Sequence, residues 1–111
     1  MTNKLEVIIN TIDEKKGENI QVFNMKEKDY FVDSVIIAST LGDKHGYALL
    51  DALKTKLKEN GETIITVEEG DNWIVIDLGD TLIHLMTPEY RSKYNIEEFL
   101  DNYKTQTSKE I

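Results

Sequence analysis

An α/β fold, with a mixed sheet of about five strands and flanking helices, is what this sequence predicts, on three observations. Segments of helical and of strand periodicity alternate along the chain. The run Ser34 to Ala38 is apolar without interruption, as a strand buried on both faces requires. Two alternating apolar segments around Asp77 and Asp80 form a hairpin, which must be antiparallel, whereas strands separated by a helix are free to pair in parallel.

Leu5, Ile8, Ile9 and Ile12 fall at helical spacing behind Asn3, which suits an N-cap, and Gly17 stands where a left-handed residue would end the helix. Ile20 to Phe23 reads as a short strand, interrupted by the charged residues 24–29 before the buried strand begins. From Asp43 to Asn60, Leu49, Leu50, Leu53 and Leu57 mark the apolar stripe of a long helix, closed at Asn60 to Glu62. Thr63 to Glu69 is a strand, Gly70 and Asp71 turn the chain, and the hairpin follows. Thr87 caps a helical turn with Pro88 at its first position, and Asn95 caps a last helix running to Lys104. Residues 1–104 make one domain, and Thr105 to Ile111 form a polar tail.

A chain of 111 residues is long enough to bury roughly two-thirds of its surface in one core, so it needs no staples, and it has no cysteine. That composition fits a reducing, cytoplasmic setting. The first ten residues carry neither a basic nor an apolar leader region, and no apolar run approaches a bilayer span. Twenty-one acidic residues against thirteen basic give a net charge of -8, which repels nucleic-acid backbones and anionic lipids and attracts basic partners.

The hairpin carries the chemistry that needs explaining, because it holds two aspartates, a histidine and the only tryptophan. A two-residue Leu78–Gly79 loop pairs Asp77 with Asp80, Val75 with Leu82 and Trp73 with His84. It leaves Ile74, Ile76, Thr81, Ile83 and Leu85 on one face. A three-residue loop mixes polar and apolar residues on both faces, so the two-residue register is preferred. With the isoleucine face in the core, Trp73, Val75, Leu82 and His84 occupy the other, with the aspartates at one end. Two readings of that face stand. It is a partner-binding patch of apolar residues ringed by carboxylates, or a helix covers it and Trp73 is core.

A catalytic reading would give Asp77 and Asp80 a magnesium ion, as in nucleotidyl transfer, and His84 the role of base or ligand. Aspartates flanking a tight turn are common for local hydrogen bonding, however, and a lone histidine in a strand is usually a packed neighbour. There is no phosphate-binding glycine loop, and Ser39 lacks the glycines of a nucleophile elbow. These residues argue against an enzyme and against any cofactor, metal or small-molecule substrate.

The segments WIVIDLGDTLIHLM and YRSKYNIEEFL closely resemble the ribosomal silencing factor RsfS, or Iojap, family, with its Trp-led strand, Asp-x-Gly-Asp turn and returning histidine. Those features fall here on Trp73, Asp77, Gly79, Asp80 and His84, followed by Arg91 and Tyr94. IDEKKGENIQVFN and Asp33 with VIIAST are similar to the family's earlier segments. Departures are Thr40 for a usual glycine, with Gly42 displaced, Lys44 for arginine beside a matching His45, and Phe99 and Leu100 where tryptophan is common. The resemblance implies a fold like that of nucleotidyltransferases without their catalytic set. It also implies a translation repressor that binds the large ribosomal subunit at its protein number fourteen and blocks subunit joining when nutrients are scarce. The contact residues it implies are Trp73, Val75, Asp77, Asp80, Leu82, His84, Arg91 and Tyr94, with little direct contact to nucleic acid.

Overall fold

Residues 4–103 are described in the computed structural model. They run α1 (Lys4–Glu14), β1 (Glu18–Asn24), a 3₁₀ turn (Lys26–Lys28), β2 (Ser34–Ser39), α2 (Asp43–Glu59), β3 (Thr66–Glu68), β4 (Trp73–Asp77), β5 (Thr81–Met86), α3 (Pro88–Tyr94) and α4 (Ile96–Asn102). The predicted cap residue Asn3 and the tail from Thr105 to Ile111 lie outside the described residues.

The five strands make one sheet in the order β1-β2-β5-β4-β3. Only β2 and β5 are parallel, joined through α2 and the β3–β4 excursion, and the other three pairs are antiparallel. This central pair is buried along its whole length, as the unbroken apolar run of β2 predicts. On one face Ile8 and Ile12 of α1 and Leu49, Leu53 and Leu57 of α2 pack on Ile36, Ile74, Ile76, Ile83 and Leu85. On the other, Met25 and Val32 from the segment after β1, and Leu100 of α4, pack on Val35, Ile37, Leu82 and Met86. The second face is therefore covered in part, by elements the sequence reading did not assign to it.

The hairpin register differs from the expected one. Trp73 pairs with Met86, Val75 with His84 and Asp77 with Leu82, so the expected pairs Trp73–His84, Val75–Leu82 and Asp77–Asp80 do not form. The two-residue loop is Gly79–Asp80, closed by the Leu78 N–H donating to the Thr81 carbonyl at 2.9 Å. Glycine decides this, since the first position of such a loop requires positive φ and Gly79 has φ 96°. The Asp77 carboxylate accepts the Gly79 N–H at 2.8 Å and holds the turn. Moving the loop by one residue moves the register by two, which restores every side chain to its predicted face. Trp73, Val75, Leu82 and His84 thus still share one side.

Two smaller corrections follow from end chemistry. Lys16 and not Gly17 takes the left-handed conformation after α1, at φ 71°. The Gly17 N–H donates to Ile12 O at 2.8 Å and the Lys16 N–H to Asp13 O at 3.1 Å, the paired bonds of a Schellman ending. Glycine is needed at 17 for space, because an added Cβ would lie 2.2 Å from Ile12 Cγ2, and Ile12 is fully buried. Gly17→Ala is expected to cost about 1 to 2 kcal/mol in urea denaturation, as overpacking does. Strand β3 is shorter than Thr63 to Glu69, because β4 ends in the turn at Asp77 and leaves residues before Thr66 without a strand to pair with. The caps of the last helices are as predicted: Thr87 Oγ1 accepts the Tyr90 N–H and Asn95 Oδ1 the Glu98 N–H.

Candidate partner-binding site

Trp73 opens β4 at the end of the sheet where β5 runs into α3, and this places its indole beside that helix. The half-buried ring packs at a 40° tilt against Tyr94 with centroids 5.1 Å apart, and Tyr94 in turn lies 5.5 Å from Tyr90, one helical turn back. The Lys93 ammonium sits 5.9 Å and 5.5 Å from those two tyrosine rings. Val75, also half-buried, continues the surface along β4. With Trp73, Glu68 and Glu69 it lines a shallow groove of about 290 Å³. Among the described residues neither glutamate has an ion-pair partner.

Behind the tryptophan lies His84. The indole N–H donates to His84 Nδ1 at 3.0 Å, and since an indole can only donate, that nitrogen carries no proton. Burial pushes the His84 pKa down to about 4, so the ring is neutral at pH 7 with its proton on Nε2. His84 and Leu82 are both 8% exposed, and they support the face from beneath.

Asp77 and Asp80 lie at the other end of the hairpin, four strand residues or about 13 Å along from Trp73. Both carboxylates are occupied: Asp77 holds the turn, and Asp80 takes the Lys4 ammonium at 2.7 Å and the Thr81 hydroxyl at 3.1 Å. The Lys4 hydrogen bond holds the Asp80 carboxyl below its usual pKa. Arg91 likewise spends its donors inside the fold. Its guanidinium binds Glu97 of α4 and, at 2.8 Å, the Ser39 hydroxyl at the end of β2, tying three elements together. The predicted residues thus divide. Trp73, Val75 and Tyr94 make an accessible surface, Leu82 and His84 its support, and Asp77, Asp80 and Arg91 are engaged in bonds within the fold. Sequence reasoning missed Tyr90, Lys93, Glu68 and Glu69. The four-residue spacing of Tyr90 and Tyr94 was the available signal for the first.

A family model described as "Ribosomal silencing factor during starvation", RsfS, matches residues 1–111. The chain belongs to this family. Among curated RsfS proteins, that of Haemophilus influenzae is 35% identical over 98 residues, covering 85% of this chain and 94% of its own. A crystal structure of a Chromobacterium violaceum protein superposes with a TM-score of 0.84 at 26% identity, over 96% of this chain and 91% of that one. A more distant relative, mouse "Mitochondrial assembly of ribosomal large subunit protein 1", is 24% identical over 85% of this chain and 43% of the mouse protein. The mixed five-stranded sheet, which the order of helical and strand segments predicted, is thus the fold of the RsfS family. Among the described residues no helix is long and apolar enough to cross a membrane.

Proposed function

We propose that the chain binds the large ribosomal subunit at its protein number fourteen and sterically keeps the small subunit from joining, which represses translation when nutrients are limiting. RsfS membership supports a ribosomal target, and the name of the mouse relative supports the large subunit. The observation that carries the reading is the partly exposed Trp73–Tyr94 ring pair beside Glu68 and Glu69, which have no ion-pair partner among the described residues. A rigid aromatic anchor supplies buried area, and the carboxylates orient a basic protein. A net charge of -8 turns the domain away from the surrounding RNA phosphates and toward the positive protein among them. Occlusion of a face requires no chemistry, and none of the contact residues is assigned any.

Nucleotidyl transfer through Asp77 and Asp80 draws no support from the geometry, since a turn N–H and a lysine explain both carboxylates. Order of addition tests the proposed mechanism. Protein mixed first with separated large subunits is expected to lower the yield of joined ribosomes in a sucrose gradient, and protein added to ribosomes already joined to leave them intact. Equal inhibition in both orders would place the action at a later step.

A further inference from the structure

Asn60 precedes Gly61, whereas every other asparagine of the chain precedes a residue with a side chain. A glycine nitrogen has no neighbouring Cβ to hinder its approach to a side-chain amide, so an Asn-Gly pair is the thermolabile form of asparagine. Both residues are exposed, at the end of α2. Gly61 takes the left-handed conformation at φ 78°. Its N–H donates to Lys58 O at 3.1 Å and the Glu62 N–H to Leu57 O at 2.9 Å, the paired bonds of a Schellman ending. A Cβ added at Gly61 would meet nothing within 4 Å, so the space around the pair is open. Hydrogen bonds alone hold the amide in place. Asn60 Nδ2 donates to Lys56 O at 2.8 Å, and the Asn60 N–H to Lys56 O and Leu57 O at 3.1 Å each. Bonds of this kind at an exposed helix end open by local fraying, well before the fold is lost.

We propose that Asn60 is a site of spontaneous deamidation, gated by fraying of the last turn of α2. Once the turn opens, Gly61 N gives its proton to water and attacks Asn60 Cγ. The new N–Cγ bond closes a five-membered succinimide, the Cγ–Nδ2 bond breaks, and Nδ2 leaves as ammonia. Water then opens the ring. Attack at Cγ leaves aspartate on an unchanged backbone, and attack at the main-chain carbonyl leaves isoaspartate, with the chain routed through Cβ. The sum is one water taken up and one ammonia released, with no oxidant or reductant. Neither the ribosome nor any other partner is needed.

The products do not fit the helix ending. As aspartate, residue 60 loses the donor to Lys56 O and sets a carboxylate against the carbonyl end of the helix, where Glu59 and Glu62 already flank it and negative charge is disfavoured. As isoaspartate, it adds a methylene to the main chain between Leu57 and Glu62, which the 2.9 Å bond spans. Leu57 is fully buried in the core, and Glu62 meets Lys4 at 3.3 Å, which also holds Asp80. Loss of this closure therefore reaches the core, α1 and the hairpin turn.

The test incubates the full chain in warm, mildly alkaline buffer, folded and in urea, and maps the peptides by mass spectrometry. Asn60 is expected to be the first asparagine to show the mass gain of amide-to-acid conversion, and an isoaspartyl methyltransferase should label the product. Reaction should run roughly ten-fold faster in urea, since the folded chain must first break the bonds of the turn. Asn60→Gln keeps an amide but not the five-membered ring, and should stay unmodified at that position. Asn60→Asp, the unbranched product, is expected to melt about 4 °C below the parent. A folded protein that keeps its Asn60 amide while the denatured chain loses it overturns the proposal. So does earlier reaction at another asparagine, or a rate that urea leaves unchanged. Asn60→Asp melting with the parent would overturn the link from the modification to α2.

Discussion

Lowering the pH from 7 to 4 is expected to cost the fold about 3 kcal/mol through His84 alone. The folded pKa of this histidine is about 4, against 6.5 for an exposed ring. The unfolded chain therefore takes up a proton first as acid is added. Stability from His84 is whole above pH 6.5, declines as the pH falls toward 4, and changes no further below that. The physical cause is burial, and it is reinforced by the indole N–H, which needs an unprotonated Nδ1 to receive it. Asp80 also has a lowered pKa, and its contribution is likewise lost on acidification, but below the ordinary carboxylate range, so the histidine window stands apart. Urea denaturation at pH steps from 7 to 4 measures the slope. His84→Gln offers an amide oxygen to the indole and does not titrate, so its curve should be flat where the parent's falls. Parallel curves would mean that another group titrates in that window.

The hairpin shows how far the sequence was legible and where it stopped. Face assignment depends only on whether the register is even or odd, and the alternation of isoleucines in β4 and β5 fixes that, so Trp73, Val75, Leu82 and His84 were correctly placed together. The register itself depends on which residue takes positive φ. Leu78–Gly79 and Gly79–Asp80 satisfy the alternation equally, and only the demand for glycine at the first loop position separates them. Cover over the second face was beyond local pattern. Met25 and Val32 sit in a segment without periodicity, and a single leucine of α4, Leu100, reaches the core, which no stripe announces. Arg91 shows the same limit from the other side. An arginine near a binding motif reads as a contact, and only the tertiary meeting of Ser39 and Glu97 reveals a clamp.

Trp73→Ala is expected to weaken binding to the large subunit by about 2 kcal/mol or more, roughly thirty-fold, in cosedimentation. The expectation rests on position. The indole is the largest apolar side chain of the face, it is fixed by Tyr94 on one side and by the His84 hydrogen bond on the other, and so it loses little freedom on binding. Being half-buried, it also contributes to the fold, so the same change should lower stability by about 2 kcal/mol, less than the 3 to 5 typical of a fully buried aromatic. Two measurements on one protein are therefore needed, melting and cosedimentation below the melting range. Trp73→Phe sharpens the distinction. A phenyl ring keeps the packing against Tyr94 but gives Nδ1 of His84 no donor, so it should recover more of the binding than of the stability. Tyr94→Ala removes the exposed member of the ring pair and should lose binding with a smaller change in melting, because Tyr94 is 49% exposed. A Trp73→Ala protein that sediments with large subunits as well as the parent would clear this face of the interface and move attention to other exposed surfaces of the same fold.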